Sequence, residues 1–189
     1  MRHSALVRVT HWTTAASFVA LLVSGIAILL AHPRLYWGET GALGTPSLVD
    51  LPLPMILTGQ SGWGRYLHFL SAWICVITGG AYVLGSRSHF RNDLFRPAGV
   101  PKYSAAQRVT YIAVVFVLFP LMIWTGFAMS PAITSVFPVL VTALGGQQSA
   151  RTIHFVVANL LIVFVVAHVV MVSVAGFTRH VGAMILGRA

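Results

Sequence analysis

Four apolar stretches recur along the chain, at about 9–31, 65–85, 108–130 and 152–177. Each is close to the roughly 20 residues that an α-helix needs to cross hydrocarbon. The last is the clearest, with no charged residue between Thr152 and Thr178. The first follows Arg2 and Arg8 and is uncharged from Trp12 to Ala31. A secretory signal would have a shorter apolar core, about 7–15 residues, ending at a small-residue cleavage site. Leu29-Leu30-Ala31-His32-Pro33 is a poor site, so this stretch reads as an uncleaved helix. Between the stretches the pattern breaks down. Residues 32–64 are rich in Gly and Pro and carry Glu39 and Asp50, which predicts a long loop. Its Tyr36, Trp37 and Trp63 suit the aromatic belt of a membrane interface. Residues 131–148 are uncharged but broken by Pro131, Pro138, Gly145 and Gly146, which predicts a loop with a short interfacial helix and no fifth span. Pro120 inside the third stretch predicts a kink.

The expected fold is therefore an all-α membrane protein: one domain over residues 1–189, a four-helix transmembrane bundle. Composition agrees, with 57% hydrophobic and 8% charged residues against about 25% charged in soluble domains. The net charge of +9 does not call for nucleic acid, because the basic residues lie in loops and helix ends rather than along a stripe. With four spans, Arg2, Arg8, Arg87, Arg91, Arg96, Lys102, Arg108, Arg179 and Arg188 share one side, and Arg34, Arg65 and Arg151 the other. The positive-inside rule then puts both termini in the cytoplasm. Cys75 is the only cysteine, which excludes an internal disulfide, a cysteine zinc site and covalent haem attachment through C-x-x-C-H.

Histidine inside a span is uncommon and marks a functional site by default. His154 and His168 lie fourteen positions apart in the fourth stretch. On a helix that spacing returns to within about 40° of one face and separates the imidazoles by about 21 Å. In the four-span topology His68 and His154 are near the outer surface, His11 and His168 near the cytoplasmic one. Depth pairs His68 with His154 and His11 with His168. Two bis-imidazole sites at two depths suit a pair of non-covalent b-type haems, with no open iron position, which favours electron transfer over oxygen chemistry. Gly25 falls on the His11 face at the outer depth and Gly79 on the His68 face at the inner depth. Either glycine admits a macrocycle to the backbone or lets helices pack closely. His3, His32, His89 and His180 lie in loops or tails and find no pairing.

These residues also carry a resemblance. Arg8-Val9-Thr10-His11-Trp12 with Ser24-Gly25 resembles the first helix of the bacterial cytochrome b561 and nickel-hydrogenase b-type cytochrome family. That family includes membrane subunits of formate dehydrogenases and thiosulfate reductases. Gly64-Arg65-Tyr66-Leu67-His68-Phe69 is similar to its second-helix ligand motif, and Arg151-Thr152-Ile153-His154 with Ala167-His168 to its fourth helix. The resemblance implies two haem b groups in a multi-pass protein of the bacterial inner (cytoplasmic) membrane. It also implies exchange with the quinone/quinol pool and service as the electron-transfer subunit of an oxidoreductase complex. Lys102, Tyr103, Ser104 and Gln107 resemble the stretch near the family's quinone site, where relatives commonly have Asn in place of Ser104. Arg8, Arg65 and Arg151, each three residues before a histidine, are candidates for haem propionates, with interfacial snorkelling as the competing role. His32-Pro33-Arg34-Leu35-Tyr36-Trp37 and Gly62-Trp63-Gly64 resemble the branch that accompanies periplasmic molybdopterin enzymes. A periplasmic redox enzyme of that kind or a c-type cytochrome is the expected partner, docked on residues 32–64 and 131–150.

Two other classes compete. A histidine-lined transition-metal transporter would also use carboxylates along its path, and all three acids lie outside the four stretches. A structural anchor would not need four depth-matched histidines.

Overall fold

A computed structural model describes residues 4–41, 44–53, 60–85, 109–110 and 112–187. The protein is mostly helical. Among the described residues three helices are long and apolar enough to cross a membrane, and a fourth apolar helical segment, Val114–Ala128, is shorter. The chain divides into two compact units. One comprises Met1–His32, Leu53–Lys102 and Val170–Ala189, the other Pro33–Pro52 and Tyr103–Val169.

In the first unit, helix α1 (Ala5–Ala31) opens on Ser4, whose hydroxyl accepts the Val7 N–H. It stops where Pro33 follows: the pre-proline residue His32 leaves the helical region at φ −140° and ψ 71°. Helix α2 (Gln60–Gly85) runs antiparallel to it. Ala27 faces Gly64, Ser24 faces His68, Thr14 bonds Thr78 at 3.3 Å, and Leu6 abuts Gly85. A Cβ at Gly64 would lie 3.2 Å from that of Ala27 and 3.4 Å from the Ser24 carbonyl. Small residues thus set the close approach, as in membrane helix pairs generally. The amphipathic helix after Gly176, Phe177–Leu186, returns to the start of α1, where the Trp12 indole donates to the Met184 carbonyl at 3.1 Å.

In the second unit, strand β1 (Arg34–Leu35) pairs antiparallel with β2 (Val49–Asp50), and Arg34 Nε bonds Asp50 Oδ2 at 3.0 Å. Residues Val114–Leu118 form a π-turn that leads into helix α3 (Phe119–Ala128). Where the sequence predicts a kink at Pro120, the helix carries this widened turn. Proline has no N–H and its ring crowds the carbonyl four residues back. The widened turn, with the Phe119 N–H on the Val114 carbonyl, accommodates it. Two short helices follow, α4 (Pro131–Thr134) and α5 (Val139–Thr142), then the long α6 (Gln147–Val174). Ala128, Val141, Leu144 and Ala150 form the core here.

The N-terminus of α6 is tied to the loop before β2. The Gly38 carbonyl accepts the N–H groups of Gln148 (2.9 Å) and Ser149 (3.3 Å), and the Gly38 N–H donates to Ser149 Oγ (2.7 Å). These bonds satisfy donors that a helix start leaves unpaired. Gly146, at φ 118°, lies directly against the Gly38 peptide. Thr152 Oγ1 donates to the Tyr36 carbonyl at 2.6 Å.

Several boundaries differ from those read in sequence. Helix α2 begins at Gln60, before residue 65, and α6 at Gln147, before residue 152. The fourth stretch ends at Val174, and Gly176, in the left-handed region at φ 109°, separates it from the terminal helix α7 (Phe177–Leu186).

Candidate functional site

His68 and His154 share one local arrangement, each within its own unit. On α1, Ser24 is fully buried. Its hydroxyl lies 2.7 Å from the Ala20 carbonyl and 3.1 Å from that of Leu21. The same oxygen is 3.0 Å from His68 Nδ1 on α2. The next residue, Gly25, meets the ring edge: a Cβ there would lie 3.7 Å from His68 Cε1. On α3, Thr125 is also fully buried. Its hydroxyl is 2.8 Å from the Leu121 carbonyl, 3.0 Å from that of Met122 and 2.8 Å from His154 Nδ1 on α6. Gly126 follows, its Cβ position 3.8 Å from His154 Cε1. Among the described residues, a hydroxyl–glycine step on one helix thus faces an imidazole of another twice.

His11 and His168 border aromatic rings. His11 is edge-on to Trp12, with centroids 5.2 Å apart and planes at 88°. His168 stacks on Phe164 at 5.9 Å and 29°. His154 and His168 lie on the one continuous helix α6, so the rise of about 1.5 Å per residue separates them by about 21 Å. His11 and His68 belong to the first unit and His154 and His168 to the second. Gly79 has nothing within 4 Å of its Cβ position, so among the described residues it is not a close helix contact.

The three arginines differ in setting. Arg8 is half-buried, its guanidinium against Gly187 just past the end of α7, where helix carbonyls favour a cation. Its Nε is buried with no hydrogen-bond partner among the described residues. With Val9, Trp12, Thr13, Met184 and Ile185 it lines an open cavity of about 480 Å³. Arg65 is exposed and Arg151 half-buried beside Tyr36. Lys102, Tyr103, Ser104 and Gln107 lie outside the described residues. Among the described residues no three or more His, Cys, Asp or Glu stand together as a metal-binding group.

The family profile of the prokaryotic cytochrome b561 proteins matches residues 2–187. The chain belongs to the prokaryotic cytochrome b561 family. It is a multi-pass membrane protein, a b-type cytochrome of electron transport. The chain is 28% identical to the "Putative protein-methionine-sulfoxide reductase subunit YedZ1" of Azospira oryzae, over 98% of this chain and 96% of that protein. No solved structure matches the chain. The residues present fit a b-type haem. Imidazole is its usual axial donor, and metal-ligating histidines characteristically donate their second ring N–H to a fixed acceptor. The Nδ1 atoms of His68 and His154 lie at hydrogen-bond distance from a group able to accept, the hydroxyls of Ser24 and Thr125. The glycine beside each hydroxyl leaves room at the ring edge. Gly25 was legible as a gap in sequence. The Thr125–Gly126 step was not singled out, although it repeats the Ser24–Gly25 pair.

Proposed function

We propose that the chain is a di-haem electron-transfer subunit carrying electrons between the quinone/quinol pool and a periplasmic redox enzyme. His68 with His154 would hold the outer haem, and His11 with His168 the inner one. In the proposed topology the four spans form a bundle with both termini in the cytoplasm. Of the proposed third span, the described apolar helical segment is Val114–Ala128. The observation that carries the reading is the repeated seat of His68 on Ser24 and of His154 on Thr125.

Bound haem supplies a one-electron carrier that cycles between ferric and ferrous iron. The chain's residues would do the rest. The imidazoles ligate, Ser24 and Thr125 orient two of them, and Arg8, Arg65 and Arg151 offer charge to propionates. Apolar helices exclude water between the two depths. The relative's name directs the choice of partner to a reductase of protein methionine sulfoxide, so that quinol is the donor. Quinol gives up two electrons and two protons, and the sulfoxide takes two electrons and two protons to become thioether and water. Residues 32–64 and 131–150 form the proposed docking face. Lys102, Tyr103, Ser104 and Gln107 are the proposed quinone contacts.

The test is a pyridine haemochrome assay on the purified protein, followed by anaerobic addition of a quinol. About two non-covalent haems per chain, reduced by quinol with low-spin spectra, are expected. A protein purified without haem, or with covalent haem, would end the proposal.

A further inference from the structure

The two seats fix more than position. A hydroxyl has one proton and two lone pairs. Ser24 Oγ lies 2.7 Å from the Ala20 carbonyl, which can only accept, so its proton goes there. That leaves the hydroxyl oxygen to accept, so the 3.0 Å contact with His68 Nδ1 calls for an Nδ1–H on a ring that also bonds the Leu21 backbone. The same assignment holds at Thr125, whose proton goes to the Leu121 carbonyl at 2.8 Å while its oxygen faces His154 Nδ1 at 2.8 Å. A neutral imidazole protonated at Nδ1 has its lone pair on Nε2. Both hydroxyl-bearing residues are fully buried. At each seat the hydroxyl meets Nδ1, and the following glycine leaves room beside Cε1.

We propose that Ser24 and Thr125 are positioning residues that select the Nε2-ligating tautomer of His68 and His154 and set the rotation of each ring. This rests on the haem reading above. Each seat is a relay, Nδ1–H to hydroxyl to carbonyl, in which the hydroxyl is polarised by the proton it donates. Such a partner raises the basicity of the ligand and so favours ferric over ferrous iron. Because His68 and His154 belong to one proposed pair, both relays act on the same iron. Each relay would then lower the potential of the proposed outer haem.

The test uses full-length, haem-loaded protein with Ser24→Ala, Thr125→Val, Ser24→Thr and Thr125→Ser. Thr125→Val keeps the shape and loses the hydroxyl; Thr125→Ser does the reverse. Redox titration and low-spin electron paramagnetic resonance read the outcome, with haem retention alongside. Ser24→Ala and Thr125→Val should raise the midpoint of one and the same haem, shift its largest g-value, and weaken haem retention by about 10–100-fold. Ser24→Thr and Thr125→Ser should stay near wild type. Unchanged midpoints and g-values in haem-loaded Ser24→Ala and Thr125→Val would overturn the inference. So would a Thr125→Val protein that resembles wild type while Thr125→Ser does not, since shape would then be what matters. If Ser24→Ala or Thr125→Val does not hold haem, the hydroxyl-keeping swaps decide: wild-type signals in both support the relay, and altered signals in both overturn it. A wild-type protein without haem would instead sink the proposed function.

Discussion

At the residue scale, the four histidines divide between two kinds of loss. Replacing His68 or His154 with Leu takes away one of two axial donors to the same proposed iron. Both variants should therefore lose the outer haem and keep the inner one. His11→Leu and His168→Leu should do the opposite. Redox titration of the four proteins shows which midpoint disappears from each, and a phenotype shared by His11 and His154 would refute pairing by depth. The glycines give a graded test. A Cβ at Gly25 or Gly126 would stand 3.7 or 3.8 Å from the facing Cε1, ordinary contact, so Gly25→Ala and Gly126→Ala should keep near-normal haem content. Gly25→Leu and Gly126→Leu extend further into the ring's space and should lose most of the outer haem, measured as haem per chain. The histidines were legible because an ionisable group in an apolar run is rare. Their hydroxyl partners were not, because Ser24 and His68 are 44 residues apart and Thr125 and His154 29 apart. Which side chains meet over such separations depends on the register between helices, and single-sequence periodicity says nothing of it.

At the element scale, the long apolar runs announced their helices, since hydrocarbon leaves a spanning backbone no other partner than itself. Their ends were less legible. Glycine-rich residues ahead of 65 read as loop, yet Gln60–Gly64 is helical, where Gly64 lets α2 settle against Ala27. Gly176 lies in an apolar context that gave no sign of the break between α6 and α7. The clamp at the start of α6 yields two predictions. Gly146→Ala would place a Cβ on the Gly38 peptide in a backbone region that L-residues avoid, costing about 1–3 kcal/mol. Ser149→Ala would leave the Gly38 N–H without its 2.7 Å acceptor, costing about 1–3 kcal/mol if that group stays dry. Thermal unfolding in detergent should show a lowered midpoint for both, with haem spectra unchanged before the transition.

At the scale of the whole molecule, the bias of basic residues sets the expected orientation. A reporter that works only in the cytoplasm should be active when fused after Ala189, and one that works only outside should be silent. The reverse result would turn the topology over and exchange the outer and inner haems with it. The basic connector that carries much of this bias, residues 86–108, lies outside the described residues, so fusion data bear on it directly. The tie between the loop and α6 has a different consequence. On the loop side it is made by main-chain atoms: the N–H and carbonyl of Gly38 and the carbonyl of Tyr36. Peptide groups are the same whatever residues surround them. Mutation can therefore rewrite the outward side chains of this loop, Trp37 and Leu48 among them, 58% and 60% exposed, while the anchorage stays as it is. With this loop as the proposed docking face, a lineage could exchange one redox client for another through surface changes alone.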